Sequence, residues 1–253
     1  MKIDLSGKTA LVTGSAGELG RVISLTLAEC GADVVLHYMS KKERALEVQK
    51  KIRKLRRRAW IVQADLGQPD GVKSLHAQLK KAGVFPDILV NNAVSQYPWK
   101  PVLKQSPEDY ESQFRTCVMQ NVLMAQAFAP SMIKKKWGRI IAISTECAMQ
   151  CLPTQSAYVA GKRGSDGVLR VLAREIGKHG VTVNQVAPGW TISERDRLSG
   201  TERQKAYERN VPLNRRGEDR EIAQAVAFLA SDLASFITGA WLPVCGGNVM
   251  PAI

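Results

Sequence analysis

The sequence predicts a single doubly wound α/β domain over 1–253, built on a mostly or wholly parallel sheet of about seven strands. Seven short β-branched runs occur, at Thr9 to Thr13, Asp33 to His37, Trp60 to Ala64, Ile88 to Asn91, Arg139 to Ser144, Val181 to Ala187 and Trp241 to Val244. They alternate with stretches of helical period, such as Leu19, Val22, Ile23, Thr26 and Leu27, then Val72, Leu75 and Leu79, then Ile222, Val226 and Leu229. The runs are continuously apolar, as expected of strands covered on both faces, and right-handed crossovers between such strands give a doubly wound sheet.

The first run enters Thr13-Gly14-Ser15-Ala16-Gly17-Glu18-Leu19-Gly20 and then a helix, which is the setting of a Rossmann-type dinucleotide site. Glycines there let backbone N–H groups and the helix N-terminus approach a pyrophosphate. Gly14, Ser15, Gly17, Glu18, Leu19 and Gly20 are therefore candidate cofactor-binding residues, although strand-to-helix turns use glycine for geometry alone as well. The second run ends in His37-Tyr38-Met39-Ser40-Lys41-Lys42, with no carboxylate to bind an adenosine 2′-hydroxyl. Tyr38, Ser40 and Lys41 offer a 2′-phosphate donors and positive charge, so NADP(H) is preferred and NAD(H) stays possible. The competing reading makes these lysines ordinary surface charges.

Formal charge is +13, and residues 41–58 hold ten Lys/Arg against Glu43 and Glu47, a local +8 that leaves +5 elsewhere. Ala45, Val48, Ile52 and Leu55 recur at helical spacing, so the basic residues fall on the outer face and exit of one amphipathic helix, where they complement its dipole. No aromatic interleaving accompanies them, which disfavours nucleic acid; attraction of an anionic substrate or an acidic carrier stays open. No apolar run approaches the ~20 residues of a membrane span. The start, Met1 to Ser6, lacks a signal-peptide pattern, so a cytoplasmic location is expected. Five cysteines without Cys-x-x-Cys and three scattered histidines predict neither a disulfide framework nor a metal site. Residues 191–210 are charged and weakly periodic, so a substrate loop or lid is expected around 190–212.

Tyr158 and Lys162, four residues apart at the start of a helical stretch, share a face. An adjacent ammonium favours the phenolate, so a lowered tyrosine pKa is expected. Thr145 follows the fifth run and puts a hydroxyl at the carboxyl edge of the sheet, where open α/β sheets bind ligands.

With these residues in order the chain resembles the short-chain dehydrogenase/reductase family along nearly its whole length. The Gly-rich turn, Asp65, Asn91-Asn92-Ala93, Asn121, Tyr158-x-x-x-Lys162 and Pro188-Gly189 carry the resemblance. Pro212-Leu213-Asn214-Arg215-Arg216-Gly217, Phe228-Leu229-Ala230-Ser231-Asp232 and Ile237-Thr238-Gly239 look most like its 3-oxoacyl-acyl-carrier-protein reductase branch. The resemblance implies that Tyr158 is the acid in carbonyl reduction and the base in oxidation. Lys162 would hold the nicotinamide ribose and lower the tyrosine pKa, Thr145 would position the substrate oxygen, and Asn121 would support a water-linked proton relay. Asp65 and Leu66 would lie at the adenine, Asn91 and Ala93 near the adenine ribose, and Pro188, Gly189, Thr191 and Ser193 at the nicotinamide.

Three positions depart from the family pattern. Glu18 stands in place of the middle glycine, Val94 replaces the glycine after Asn91-Asn92-Ala93, and Thr145 replaces serine. A carboxylate ~4 Å from a phosphate costs about 1 kcal/mol in water-like surroundings and about 4 at an effective dielectric of 20. Glu18 is therefore expected to swing out into solvent. A rival reading is a nucleotide-binding or scaffold protein with little turnover. Trp99 and Trp190, with Tyr97, are candidate apolar walls of the substrate site. The leading substrate is a 3-oxoacyl thioester, carried on an acidic acyl carrier protein; sugars, polyols, quinones and steroids stay open. The resemblance also implies a homotetramer built through the fourth and fifth helices and the C-terminal region.

Overall fold

The computed structural model describes residues 2–251; Met1, Ala252 and Ile253 of the expected 1–253 span lie outside the described residues. The seven apolar runs become β1 (Thr9–Val12), β2 (Asp33–Tyr38), β3 (Ala59–Gln63), β4 (Ile88–Asn91), β5 (Gly138–Ile143), β6 (Val181–Pro188) and β7 (Trp241–Val244). They form one sheet in the order β3-β2-β1-β4-β5-β6-β7, and every pairing is parallel. The order reverses beside β1, so the carboxyl ends of β1 and β4 flank the crevice at which doubly wound sheets take ligands.

Apolar residues on successive strand positions face opposite layers. Val34 and Leu36 of β2 join one core with Ile23 and Leu27 of α1 (Glu18–Glu29) and Val226 and Leu229 of α10 (Asp219–Ala230). Val35 joins the other, with Leu75 of α3 (Pro69–Lys81), Met124 and Phe128 of α5 (Gln120–Lys135), and Leu169 of α7 (Ser156–Ile176). No helix among the described residues is long and apolar enough to cross a membrane.

Three expected strands end one residue early, at Val12, Gln63 and Ile143. Beyond β1, Thr13 Oγ1 accepts the N–H groups of Asn92 and Ala93 at 2.8 and 2.9 Å, tying the ends of β1 and β4 together. Beyond β5, Ser144 Oγ accepts the Trp241 indole N–H at 3.0 Å. In α2 (Lys42–Lys54), Ala45, Val48 and Ile52 are buried, but Leu55 caps the helix and is exposed, a correction to the four-residue core face.

The basic run is partly committed to structure. Arg58 pairs with Asp33 at 2.7 Å, while Arg53 and Arg57 donate to the carbonyls of Ala59 and Gly31.

Candidate active site

The Gly-rich turn is held against β2. Gly14 has φ of +63°, a conformation that favours glycine, and its N–H donates to His37 Nδ1 at 3.1 Å. His37 Nε2 faces the Ala64 carbonyl at 3.0 Å, so the ring is the Nε2–H tautomer: Nδ1 accepts and Nε2 donates. Burial pushes the imidazole down to about 4, and it stays neutral at ordinary pH. Sequence reasoning missed His37 as a loop anchor; a titratable side chain on an apolar strand was the available signal. The Ser15 hydroxyl donates to the His37 carbonyl at 2.9 Å and is fully buried, so its side chain serves the turn rather than facing a phosphate.

This end of the sheet fits a dinucleotide. Gly17 precedes α1 without capping it by a side chain, which leaves the positive end of the helix dipole facing the crevice. The buried Nε of Arg21 and the buried Oδ1 of Asn91 have no hydrogen-bond partner among the described residues. Leu19 lies partly buried against the core behind the turn, and Gly20 is buried there. At the end of β2, Tyr38 packs with Ala16 and Ala45, while Ser40 and Lys41 are exposed. Asp65 is exposed and accepts the Gly67 N–H at 2.9 Å. Leu66 is buried in the core, so only its main chain is available to an adenine.

Glu18 is partly exposed but tied down rather than free in solvent. Its carboxylate accepts from Arg44 Nη1 at 3.0 Å and from the Glu194 N–H at 3.1 Å. Burial raises its pKa, but the bond and charge of Arg44 outweigh that and hold it below the usual carboxylate value. The expectation failed because Arg44 and Glu194 are distant in sequence and meet Glu18 only in the fold.

The catalytic candidates gather at the carboxyl edge of β4 and β5. Tyr158 and Lys162 share the first turns of α7, and the Lys162 ammonium lies 5.7 Å from the Tyr158 ring centroid. A π-helical turn at Phe114–Met119 packs beneath them. Gly161 permits this approach: a Cβ there would lie 3.0 Å from the Gln113 carbonyl oxygen and 3.2 Å from Cys117 Cβ. Lys162 is buried and donates to the Ile143 carbonyl at 2.6 Å, which fixes it to the end of β5.

The structure reverses the expected sign of the Tyr158 shift. Burial, then the neighbouring Cys117 and Cys147, push its pKa well above the ordinary phenol value, with the Thr145 hydroxyl acting in the opposite direction. The Lys162 ammonium is bonded to the Ile143 carbonyl rather than to the phenol. Thr145 is buried next to this pair, and its Oγ1 accepts the Cys147 N–H at 3.2 Å.

Asn121 ties three elements together beneath the catalytic candidates. Its Oδ1 accepts from Asn91 Nδ2 at 2.6 Å, and its Nδ2 donates to the Cys117 carbonyl and to Ser165 Oγ at 2.6 and 3.0 Å. Both amide donors and the amide oxygen are thus engaged in joining β4, α5 and α7. Ala93 is tied to the end of β1 through Thr13.

Of the proposed walls, Trp99 lies nearly parallel to Tyr158, with ring centroids 6.3 Å apart at 27°. Tyr97 is beside it, its hydroxyl accepting the Tyr158 N–H at 2.7 Å. Trp190 instead turns edge-on to Tyr207, 5.6 Å away, and stacks under the Arg216 guanidinium at 4.9 Å. Gly189 lies against Tyr207, whose hydroxyl accepts the Trp190 N–H at 2.9 Å.

Arg216 organises the segment after β6. Its side chain is wholly buried and donates to the carbonyls of Trp190, Thr191, Thr201 and Glu202 and to the Asp196 carboxylate, at 2.9 to 3.2 Å. Pro188 ends β6, and the Thr191 hydroxyl donates to the Gly189 carbonyl at 3.0 Å. Ser193 caps α8 (Glu194–Ser199) in a reciprocal box with Asp196, which commits its hydroxyl to the helix end rather than to a nicotinamide. Sequence reasoning missed Arg216, Tyr207 and Glu146. Glu146 is buried beside Thr145 and accepts from Asn248 Nδ2 at 2.9 Å; burial raises its pKa. The Ser193-x-x-Asp196 box was a readable sign of α8.

Among the described residues no group of His, Cys, Asp and Glu is placed to hold a metal ion. What remains is a half-buried tyrosine beside a buried lysine, a neighbouring hydroxyl and an uncapped helix terminus, a set that can bind a dinucleotide and move one proton.

Comparison with known proteins agrees with that set. A family model described as enoyl-(acyl carrier protein) reductase matches residues 14–248. A 3-oxoacyl-(acyl-carrier-protein) reductase of Staphylococcus epidermidis is 33% identical over 243 residues, 96% of this chain and 99% of the relative. An L-rhamnose 1-dehydrogenase (NAD(P)(+)) of a Sphingomonas species is 32% identical over 246 residues, 96% of each chain. The solved structure of a blue fluorescent protein from a metagenomic library in complex with NADPH has a TM-score of 0.89 and 34% identity, covering 98% of this chain and 100% of that one.

Proposed function

We propose that this chain, which belongs to the short-chain dehydrogenase/reductase family and is an oxidoreductase, interconverts a carbonyl and a secondary alcohol with NADP(H). The observation that carries the reading is the meeting of Thr145, Tyr158 and Lys162 at the carboxyl edge of β5, beside an uncapped α1. The dinucleotide, when bound, supplies or accepts the hydride. Tyr158 gives its phenol proton to the carbonyl oxygen in reduction and recovers it in oxidation. Burial holds the phenol in its protonated form, the form that donates to a carbonyl oxygen in reduction. The Thr145 hydroxyl orients that oxygen, Lys162 places positive charge beside the phenol, and Asn121 acts as a positioning residue through Asn91 and Ser165.

NADP(H) is favoured over NAD(H) by Ser40, Lys41 and Lys42 at a strand end without a carboxylate. Pairing of Glu18 with Arg44 removes the main objection to cofactor binding and favours an enzyme over a scaffold. A 3-oxoacyl thioester on an acidic carrier is the leading substrate; the similarity to a 3-oxoacyl-(acyl-carrier-protein) reductase and the net charge of +13 support it. A sugar is the second reading, favoured by the similarity to an L-rhamnose 1-dehydrogenase.

An NADPH-oxidation screen over carbonyl classes, run with NADH and with Tyr158→Phe in parallel, tests these assignments. We expect turnover on 3-oxoacyl thioesters with NADPH preferred, and a loss of about 10²- to 10⁴-fold in Tyr158→Phe, the scale of a general acid. Near-full turnover in the variant, or a clear NADH preference, overturns the corresponding part.

The homotetramer is proposed to form through an apolar strip on α5 and α7 that includes Val122, Ala129, Ile133, Val168 and the exposed Val171. A second copy of the same face would cover it. Val171→Glu is expected to reduce the mass seen by light scattering to that of a smaller species; an unchanged mass rules out this face.

A further inference from the structure

Glu18 opens α1, Arg44 lies in the first turn of α2, and Glu194 opens α8. Arg44 bridges the two carboxylates, donating through Nη1 to Glu18 at 3.0 Å and through Nη2 to Glu194 at 2.8 Å. The loop of contacts is closed by the Glu194 N–H, which donates to the other oxygen of Glu18 at 3.1 Å. Arg21, one turn along α1, adds a bond to Glu194 at 2.9 Å. Two arginines and two carboxylates make the group neutral, and each carboxylate has two donors. This set joins the dinucleotide turn, α2 and the segment after β6.

We propose that Glu18, Arg44 and Glu194 form a clasp that holds the segment after β6 closed over the bound dinucleotide, making Glu18 a positioning residue for cofactor retention. The proposal rests on the reading above that the α1 N-terminus receives a dinucleotide. The argument is topological and electrostatic. The segment leaves β6 at Pro188 and reaches the α1 N-terminus at Glu194, so it crosses the crevice between them. A dinucleotide lying along that crevice leaves when the Glu194 contacts open. The carboxylate of Glu18 is already neutralised by Arg44, so its charge is spent on the closure rather than on repelling phosphate.

Two explanations of Glu18 differ in sign. If Glu18 merely crowds the phosphates, Glu18→Gln slows NADPH release; if it is part of a clasp, release speeds up. Stopped-flow displacement of NADPH from the full chain reads this rate without turnover. We expect release about two- to fivefold faster in Glu18→Gln and in Glu194→Gln, the range of a partly exposed ion pair. The double variant is expected to be no faster than about the faster single one, because one clasp is lost once. Raising the salt to about 1 M should shrink the difference from the native chain.

Trypsin cleavage within 195–209, measured without cofactor, gives a second readout. It is expected to accelerate in both single variants. Unchanged or slower release in Glu18→Gln, or fully multiplicative effects in the double variant, overturns the proposal. Should the native chain fail to retain NADPH, the functional reading fails; cleavage rates unchanged by either substitution then overturn the clasp on their own.

Discussion

The floor of the site and the segment that follows β6 are held by different forces. In the floor, buried neutral hydrogen bonds run from Asn91 through Asn121 to Ser165, and Lys162 is fixed to a backbone carbonyl. In residues 190–221, arginine and carboxylate carry the structure: Arg197 with Glu218 and Asp219, Arg203 with Glu208, Arg215 with Glu221, and Arg216 with Asp196. Buried neutral bonds scarcely feel salt, whereas the pairs of Arg197, Arg203 and Arg215, which are partly exposed, are screened by it; Arg216, wholly buried, is the exception. The difference teaches that the reacting groups rest on the stable part of the fold, while access to them is governed by a part that opens locally at low cost.

Arg216 offers the largest break in that comparison. Arg216→Met keeps the length of the side chain but leaves four carbonyls and the Asp196 carboxylate without their common donor. Removing one partner of a buried, hydrogen-bonded charge costs about 3–5 kcal/mol. Because the bonds are confined to the segment, we expect amide hydrogen exchange in 190–209 to accelerate by roughly 10²- to 10³-fold, taking part of that cost as local opening at about tenfold per 1.4 kcal/mol. Exchange in β1, β4 and β5 should remain within about tenfold of the native chain. Equal acceleration in both regions would show that Arg216 stabilises the whole fold and that the two parts are not separate.

The same division decides what the sequence made legible. Seven strands and their helices could be read because apolar period is local, and Tyr158 and Lys162 could be read because their spacing puts them on one helix face. The hydroxyl contacts of Thr13 and Ser144, just beyond their strands, could not be read, because the backbone and indole groups they meet are distant in sequence. The sign of the Tyr158 shift was out of reach, since burial is a property of the assembled layers. Glu18 and Arg216 were harder still. Glu18 meets a partner 176 residues away, and Arg216 sits in a charged run whose composition suggests surface although the side chain is wholly buried. A segment held by charge has no apolar period, which is why 191–210 read as irregular.

A smaller effect is expected from pH, and it sharpens the contrast by acting on the rigid side. His37 is neutral and buried, accepting from the Gly14 N–H and donating to Ala64, with its pKa pushed from 6.5 to about 4 by desolvation. The unfolded chain therefore binds this proton more readily than the folded one. The stability that the neutral ring contributes is fully present above pH 6.5 and is lost as pH falls towards about 4. At 1.36 kcal/mol per pKa unit, the loss is on the order of 3 kcal/mol. Urea midpoints across this window should fall in the native chain and fall less in His37→Asn, whose amide offers both a donor and an acceptor without titrating. Parallel curves for the two proteins would mean that His37 is hydrated enough to protonate in place. The dinucleotide turn would then belong with the charge-held segment rather than with the dry floor.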